Sequence, residues 1–206
     1  MMSERWIRMI LLILYVVGAV GMLMPSTRTW FVQLSALNLA ISFVALVASR
    51  KAKPLSFLVY LSIAFVIGIG VELIGVHTSY LFGSYYYGNS LGWKWYGVPL
   101  IIGLNWGILT VTSAAIVHRF QFNKHIEAML SAVLMVLFDY ILEPVAIKLD
   151  YWNWTDGQIP VYNFICWLGV SYVLQWIYQR MKLAELNKVA ESLFLMMFIF
   201  FTLLTL

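Results

Sequence analysis

Long uncharged apolar runs, separated by short polar gaps, organise this chain of 206 residues. Met9–Thr27 and Thr29–Ser49 contain no Asp, Glu, Lys or Arg, and Pro54–Val71 forms a third run that ends at Glu72. A fourth extends from Trp95 to Val117, where His118 and Arg119 stop it. The fifth starts with Ala128–Phe138, is interrupted by Asp139 and Glu143, and meets Pro144. The sixth lies between Pro160 and Tyr178, and the seventh between Val189 and Leu206, with Glu191 near the interface. Since about 20 apolar residues of helix cross a hydrocarbon core, the pattern predicts an all-α polytopic bundle. Seven transmembrane helices would form a single integral membrane domain over residues 1–206.

Composition supports an apolar solvent: 63% of residues are hydrophobic and only 11% charged, against roughly 25% charge in soluble domains. The net charge of +4 does not indicate a nucleic-acid partner, because the basic residues occupy gaps between apolar runs instead of one folded face. Their distribution sets orientation. Arg5 and Arg8, Arg50, Lys51 and Lys53, Arg119 and Lys124, and Arg180, Lys182 and Lys188 fall on alternate connections, ten in all. Arg28, Lys94 and Lys148 fall on the others. Cytoplasmic loops hold the excess Lys and Arg, so the N-terminus is expected in the cytoplasm and the C-terminus outside. The outer connections Val76–Gly97 and Lys148–Ile159 are crowded with Tyr and Trp. They read either as an interfacial aromatic belt or as loops folded over the mouth of the bundle.

No zinc spacing, phosphate-binding loop or dinucleotide fingerprint occurs, and the lone Cys166 cannot form an internal disulfide. The chemistry lies in acids at membrane depth, where an ionised carboxylate is expensive. Glu72 shares a helix face with Gly68 and Gly75, whose lack of side chains leaves room for a neighbouring helix or a thin ligand. Asp139 and Glu143 are four residues apart on one face, so in low dielectric the pair is expected to share a proton. Pro144 frees the carbonyl of Tyr140 and permits a kink beside them. Three carboxyls thus fall at one level of two helices, either as a functional group or as packing polar groups. Asn105 and Asn163 lie at the same level, as helix glue or as groups that orient a water or a carboxyl.

These residues carry a family likeness. Glu72-x-x-Gly75-Val76-x-Thr78, Leu81-Phe82-Gly83-x-Tyr85-Tyr86-Tyr87, Leu91-Gly92, Val98-Pro99-Leu100 and Asn105-Trp106 form one block. Asp139-x-x-x-Glu143-Pro144, Trp152-x-Trp154 and Ile159-Pro160-x-Tyr162-Asn163-Phe164-x-x-Trp167 form a second. In this order, over residues 68–167, they resemble the membrane carotenoid hydratases, which include bacterial gamma-carotene 1',2'-hydratases and archaeal bisanhydrobacterioruberin hydratases. The resemblance implies an enzyme of a prokaryotic cell membrane that adds water to the terminal double bond of an acyclic carotenoid, without metal or organic cofactor. Glu72, Asp139 and Glu143 are then the catalytic acids. Gly68, Gly75, Tyr86, Asn105, Trp106, Trp154, Asn163 and Trp167 are the substrate-binding candidates, and other carotenoid enzymes are possible partners. Three further readings stay open: a small transporter or proton relay built on intramembrane acids, a noncatalytic scaffold of a pigment-enzyme assembly, and an enzyme for related alkene-protonation chemistry such as lipid isomerisation.

Overall fold

The computed structural model describes residues 3–205, and they form an all-α membrane bundle with a small β cap. The helices are α1 (Glu4–Leu23), α2 (Arg28–Gln33), α3 (Ser35–Ala48), α4 (Pro54–Thr78), α5 (Ile101–His118), α6 (Lys124–Lys148), α7 (Val161–Arg180) and α8 (Lys188–Thr205). Five of them, α1, α4, α5, α6 and α8, are long and apolar enough to cross a membrane. Helix α5 is the hub, packed against α3, α4, α6, α7 and α8. Its buried face includes Gly103 and Gly107 as well as Trp106, Ile108 and Leu109.

Several expected boundaries move, each for a physical reason. The run Thr29–Ser49 is not one helix: the chain breaks at Leu34 between α2 and α3. There the Ser35 hydroxyl bonds the Val32 carbonyl at 2.7 Å and Tyr151 Oη at 2.6 Å, and such side-chain bonds compete with the helical ladder. Helix α4 starts with Pro54 at its first turn, a favoured position for proline, and continues past Glu72 to Thr78. The fourth run begins as a helix only at Ile101, because Lys94–Trp95 (β2) and Val98–Pro99 (β3) pair as a hairpin instead. Its two-residue turn, Tyr96 and Gly97, has φ of 46° and 85°, as tight hairpin turns require. Helix α6 is capped by the Asn123 side chain, which accepts from the amides of His125 and Ile126, and runs through Pro144 without ending.

The connections separate by character. At the basic end Arg119 pairs with Glu191 at 2.9 Å, Arg50 pairs with Glu185 at 3.4 Å, and Arg50 also donates to the Leu183 carbonyl at 2.7 Å. At the aromatic end Tyr85–Tyr87 (β1) pairs antiparallel with Trp152–Trp154 (β4). This two-stranded ribbon lies over the mouth of the helices.

Candidate active site under an aromatic cap

Strand geometry builds the site. Successive side chains of a strand point to opposite faces, so in the register Tyr85↔Trp154, Tyr86↔Asn153, Tyr87↔Trp152 one face of the ribbon carries two tyrosines and two tryptophans. All four are hydrogen-bond donors aimed at carboxylates. Tyr85 Oη and Tyr87 Oη donate to Glu72 Oε2 at 2.6 and 2.7 Å. Trp154 Nε1 and Trp152 Nε1 donate to Glu143 Oε2 at 2.8 and 3.1 Å. Burial and the neighbouring Glu72 charge hold both phenols well above their usual pKa, so they stay protonated donors.

The helices supply the remainder. Trp106 Nε1 on α5 donates to Glu72 Oε1 at 3.1 Å, and Asn163 Nδ2 on α7 donates to Asp139 Oδ2 at 3.0 Å and Glu143 Oε1 at 3.3 Å. Trp106 and Trp167 stack with centroids 4.1 Å apart and planes 18° from parallel. Glu72, Asp139 and Glu143 are 4%, 0% and 2% exposed and line one cavity with Tyr85, Tyr87, Asn105, Trp106 and Asn163. That cavity is small, about 30 Å³, space for about two waters. Glu72 has three donors, Glu143 has three, and Asp139 has one, its Oδ1 lacking any protein partner.

A second, apolar cavity of about 250 Å³ adjoins it, and Ile102, Asn105, Leu142 and Trp152 belong to the walls of both. Most of its other walls come from α1, α2, α3 and α8, including Leu14, Phe31, Leu37, Ile41 and Phe200. Val17, Leu34 and Leu37 on its rim are about half exposed on the outside of the bundle. The mouth therefore faces sideways, toward the surface that meets lipid tails.

The structure brings together most of the residues that the sequence singles out, with three changes. Tyr86 is the outward residue of β1, 55% exposed and absent from the acid cavity, because a period of two turns it away when Tyr85 and Tyr87 turn inward. Gly68 and Gly75 do not wall an open groove; aromatic rings fill the space beside them. A Cβ on Gly68 would stand 2.6 Å from Trp106 Cδ1, and one on Gly75 would stand 2.6 Å from Tyr85 Oη. The glycines let these donors reach Glu72. Sequence reasoning misses Tyr85, Tyr87 and Trp152 as donors, although the alternation in Tyr85-Tyr86-Tyr87 and Trp152-Asn153-Trp154 was the signal for a two-sided ribbon.

Gly68→Ala is expected to force Trp106 away from α4, lowering stability by about 1–3 kcal/mol as overpacking does and breaking the Trp106–Glu72 bond. Thermal unfolding of the detergent-solubilised protein, followed by tryptophan fluorescence, measures the loss. Gly70, whose Cβ would meet nothing within 4 Å, is the control position.

Among the described residues no group of three or more His, Cys, Asp and Glu side chains is placed to hold one metal ion. No curated protein and no solved structure matches this chain. Residues 30–206, which include every acid and every donor of the site, match the family model described as "Carotenoid biosynthesis protein", and the chain belongs to that family.

Proposed function

We propose that this protein hydrates the terminal C=C bond of an acyclic carotenoid end group, giving a tertiary alcohol without a metal or organic cofactor. The observation that carries the reading is two separately bonded acid centres facing one small cavity beside a sideways-opening apolar pocket. A long polyene enters from the bilayer through that pocket, and its end group reaches the acids past Ile102, Asn105, Leu142 and Trp152.

Hydrogen bonding divides the labour. A carboxylate is acceptor-only, whereas a carboxylic acid has one donor. Glu72 and Glu143, each accepting from three donors, are suited to the ionised form. Asp139, with a free oxygen and a like-charged neighbour one turn away, is suited to carry the proton of the pair. It protonates the less substituted alkene carbon and leaves a tertiary cation. The Trp106 and Trp167 faces stabilise the positive charge without capturing it. Water adds to the cation carbon, and the oxonium passes a proton to Glu72. Moving that proton back to Asp139 resets the site, so the net change is addition of one water.

The test is expression in a host that accumulates lycopene or gamma-carotene. Pigment heavier by one water supports the reading, and its absence with correctly inserted protein overturns it. Conversion by purified protein with no ion gradient separates an enzyme from a transporter or a scaffold.

The same reading places the chain in a prokaryotic cell membrane with seven crossings. Helix α3 with α2, and the more polar α7, supply the two crossings beyond the five long apolar helices. The basic end faces the cytoplasm, as the excess of Lys and Arg favours. With Cys166 replaced by Ala, an impermeant thiol reagent applied outside intact cells should label Asp156→Cys and spare Lys51→Cys, both of which replace exposed residues. Labelling of Lys51→Cys alone would reverse the orientation.

A further inference from the structure

Two apolar stripes on neighbouring helices face each other without interlocking. On α1 the residues Ile7, Leu11, Leu14 and Gly18 follow at steps of four, three and four, and on α3 Leu37, Ile41, Val44 and Ala48 do the same. That spacing is the seam of a coiled coil, whose side chains fill one another's gaps. Here all eight line open space. Ile7, Leu11, Val44 and Ala48 are walls of a third cavity of about 300 Å³. Leu14, Gly18 and Leu37 are walls of the apolar cavity beside the acids, and Ile41 is a wall of both.

The two helices run antiparallel and are tied together without closing on each other. At the basic end Lys51 pairs with Glu4, and halfway along Tyr15 Oη lies 3.1 Å from Ser42 Oγ. Tyr15 and Ser42 are both buried, so this bond belongs to the floor of the cleft and leaves its length open. For packing, α1 turns to α8 and α3 turns to α5. Ala45 and Ala48 have little side chain with which to fill the basic half of the cleft, whose rim includes the exposed Ile10 and Val44.

Length indicates the occupant. The lining of α1 runs from Ile7 to Met22, about 22 Å at 1.5 Å per residue, within a hydrocarbon core about 30 Å thick. Past Ile102, Asn105, Leu142 and Trp152 the cleft continues into the acid cavity. An acyl chain hung from a headgroup covers one leaflet, about half of the core, and so fills one part of the cleft and not the other. A straight hydrocarbon longer than a leaflet fills both.

We propose that the α1–α3 cleft seats the body of a long, straight polyene, which lies along the helices with one end at the acids and its far portion between Ile10 and Ala48 near the basic end. Only the identity of the end group that reaches the acids rests on the hydration reading. The walls of the basic half are wholly apolar, so this part of the cleft selects by length and straightness: an all-trans polyene fits, and an isomer bent near its middle does not.

Binding tests this without turnover. All-trans lycopene is achiral, so when dispersed in lipid nanodiscs it shows visible circular dichroism only if an asymmetric site holds it. The unmodified protein is expected to induce such a band, polarised along the helices in oriented membranes. Ala45→Phe and Ala48→Phe each fill the basic half and should weaken lycopene binding about tenfold, as an overpacked site does. Ala48 is exposed, so its replacement leaves the fold intact. Ile13→Phe, at the same depth on an exposed face of α1 outside the cleft, should change nothing. No induced band in the unmodified protein overturns the proposal, as does an undiminished band in both alanine variants or a band polarised in the membrane plane. A band that depends on Ala45 and Ala48 in a protein that makes no hydrated pigment upholds the cleft and removes the hydration reading. Hydrated pigment with a band indifferent to both positions does the reverse.

Discussion

Asp139→Asn is expected to lower hydrated pigment by roughly 10²–10⁴-fold, the usual contribution of a general acid, with protein level and membrane insertion unchanged. Asparagine keeps the shape and the Asn163 contact but has no acidic proton to give an alkene. An isolated trisubstituted double bond offers nothing to a nucleophile until it is protonated. Glu143→Gln should cost less, about 10-fold to 10²-fold. It leaves Asp139 its proton but disturbs the Trp152, Trp154 and Asn163 bonds to Glu143 and removes the like charge that favours a neutral Asp139. Pigment analysis of both variants in one host gives the comparison. Full activity in Asp139→Asn together with Glu143→Gln refutes the proton-donor assignment.

The second large effect is a change of product. In Glu72→Gln the cation still forms at the Asp139 side, but the carboxylate that would accept the proton of the incoming water is gone. Hydration should fall by about 10²-fold, while pigment with a shifted terminal double bond appears as the cation loses a proton from an adjacent carbon. Tyr85→Phe and Tyr87→Phe each delete one of the three donors to Glu72 and should shift the same partition in the same direction, less steeply. Chromatography of the pigments resolves alcohol from isomer. Loss of all products in Glu72→Gln would assign Glu72 to the protonation step instead.

Much of this was legible because the pattern that marks it is local. A run of uncharged residues long enough to span lipid reports a membrane segment whatever it packs against, so the α-bundle class follows directly. Acids inside such runs are conspicuous for the same energetic reason. The four-residue spacing of Asp139 and Glu143 alone puts them on one face of one helix, and the structure keeps them there. The depth of Glu72 in α4 was less legible. The apolar run stops at Glu72, whereas the helix continues to Thr78, carrying the acid a turn and a half inside its own end.

What the sequence by itself determined is therefore the solvent of the protein, its α-helical class, and the presence of acids at a cost that demands an explanation. Tertiary structure alone decided what those acids meet. The ribbon joins Tyr85–Tyr87 to Trp152–Trp154 across more than sixty intervening residues, and no local period specifies a pairing between segments so distant. It turns Tyr85 and Tyr87 inward and Tyr86 outward, a choice fixed by register, since a slip of one residue would exchange the faces. Gly68 and Gly75 show the same limit: a missing side chain announces a close approach, but only the packed neighbours show that Trp106 and Tyr85 make it. The second run divides at Leu34 because Ser35 finds Tyr151, a partner that hydrophobicity cannot reveal. In a membrane, lipid and protein core are equally apolar, so pattern separates what is buried from what is wet, and side-chain packing alone separates the site from the wall.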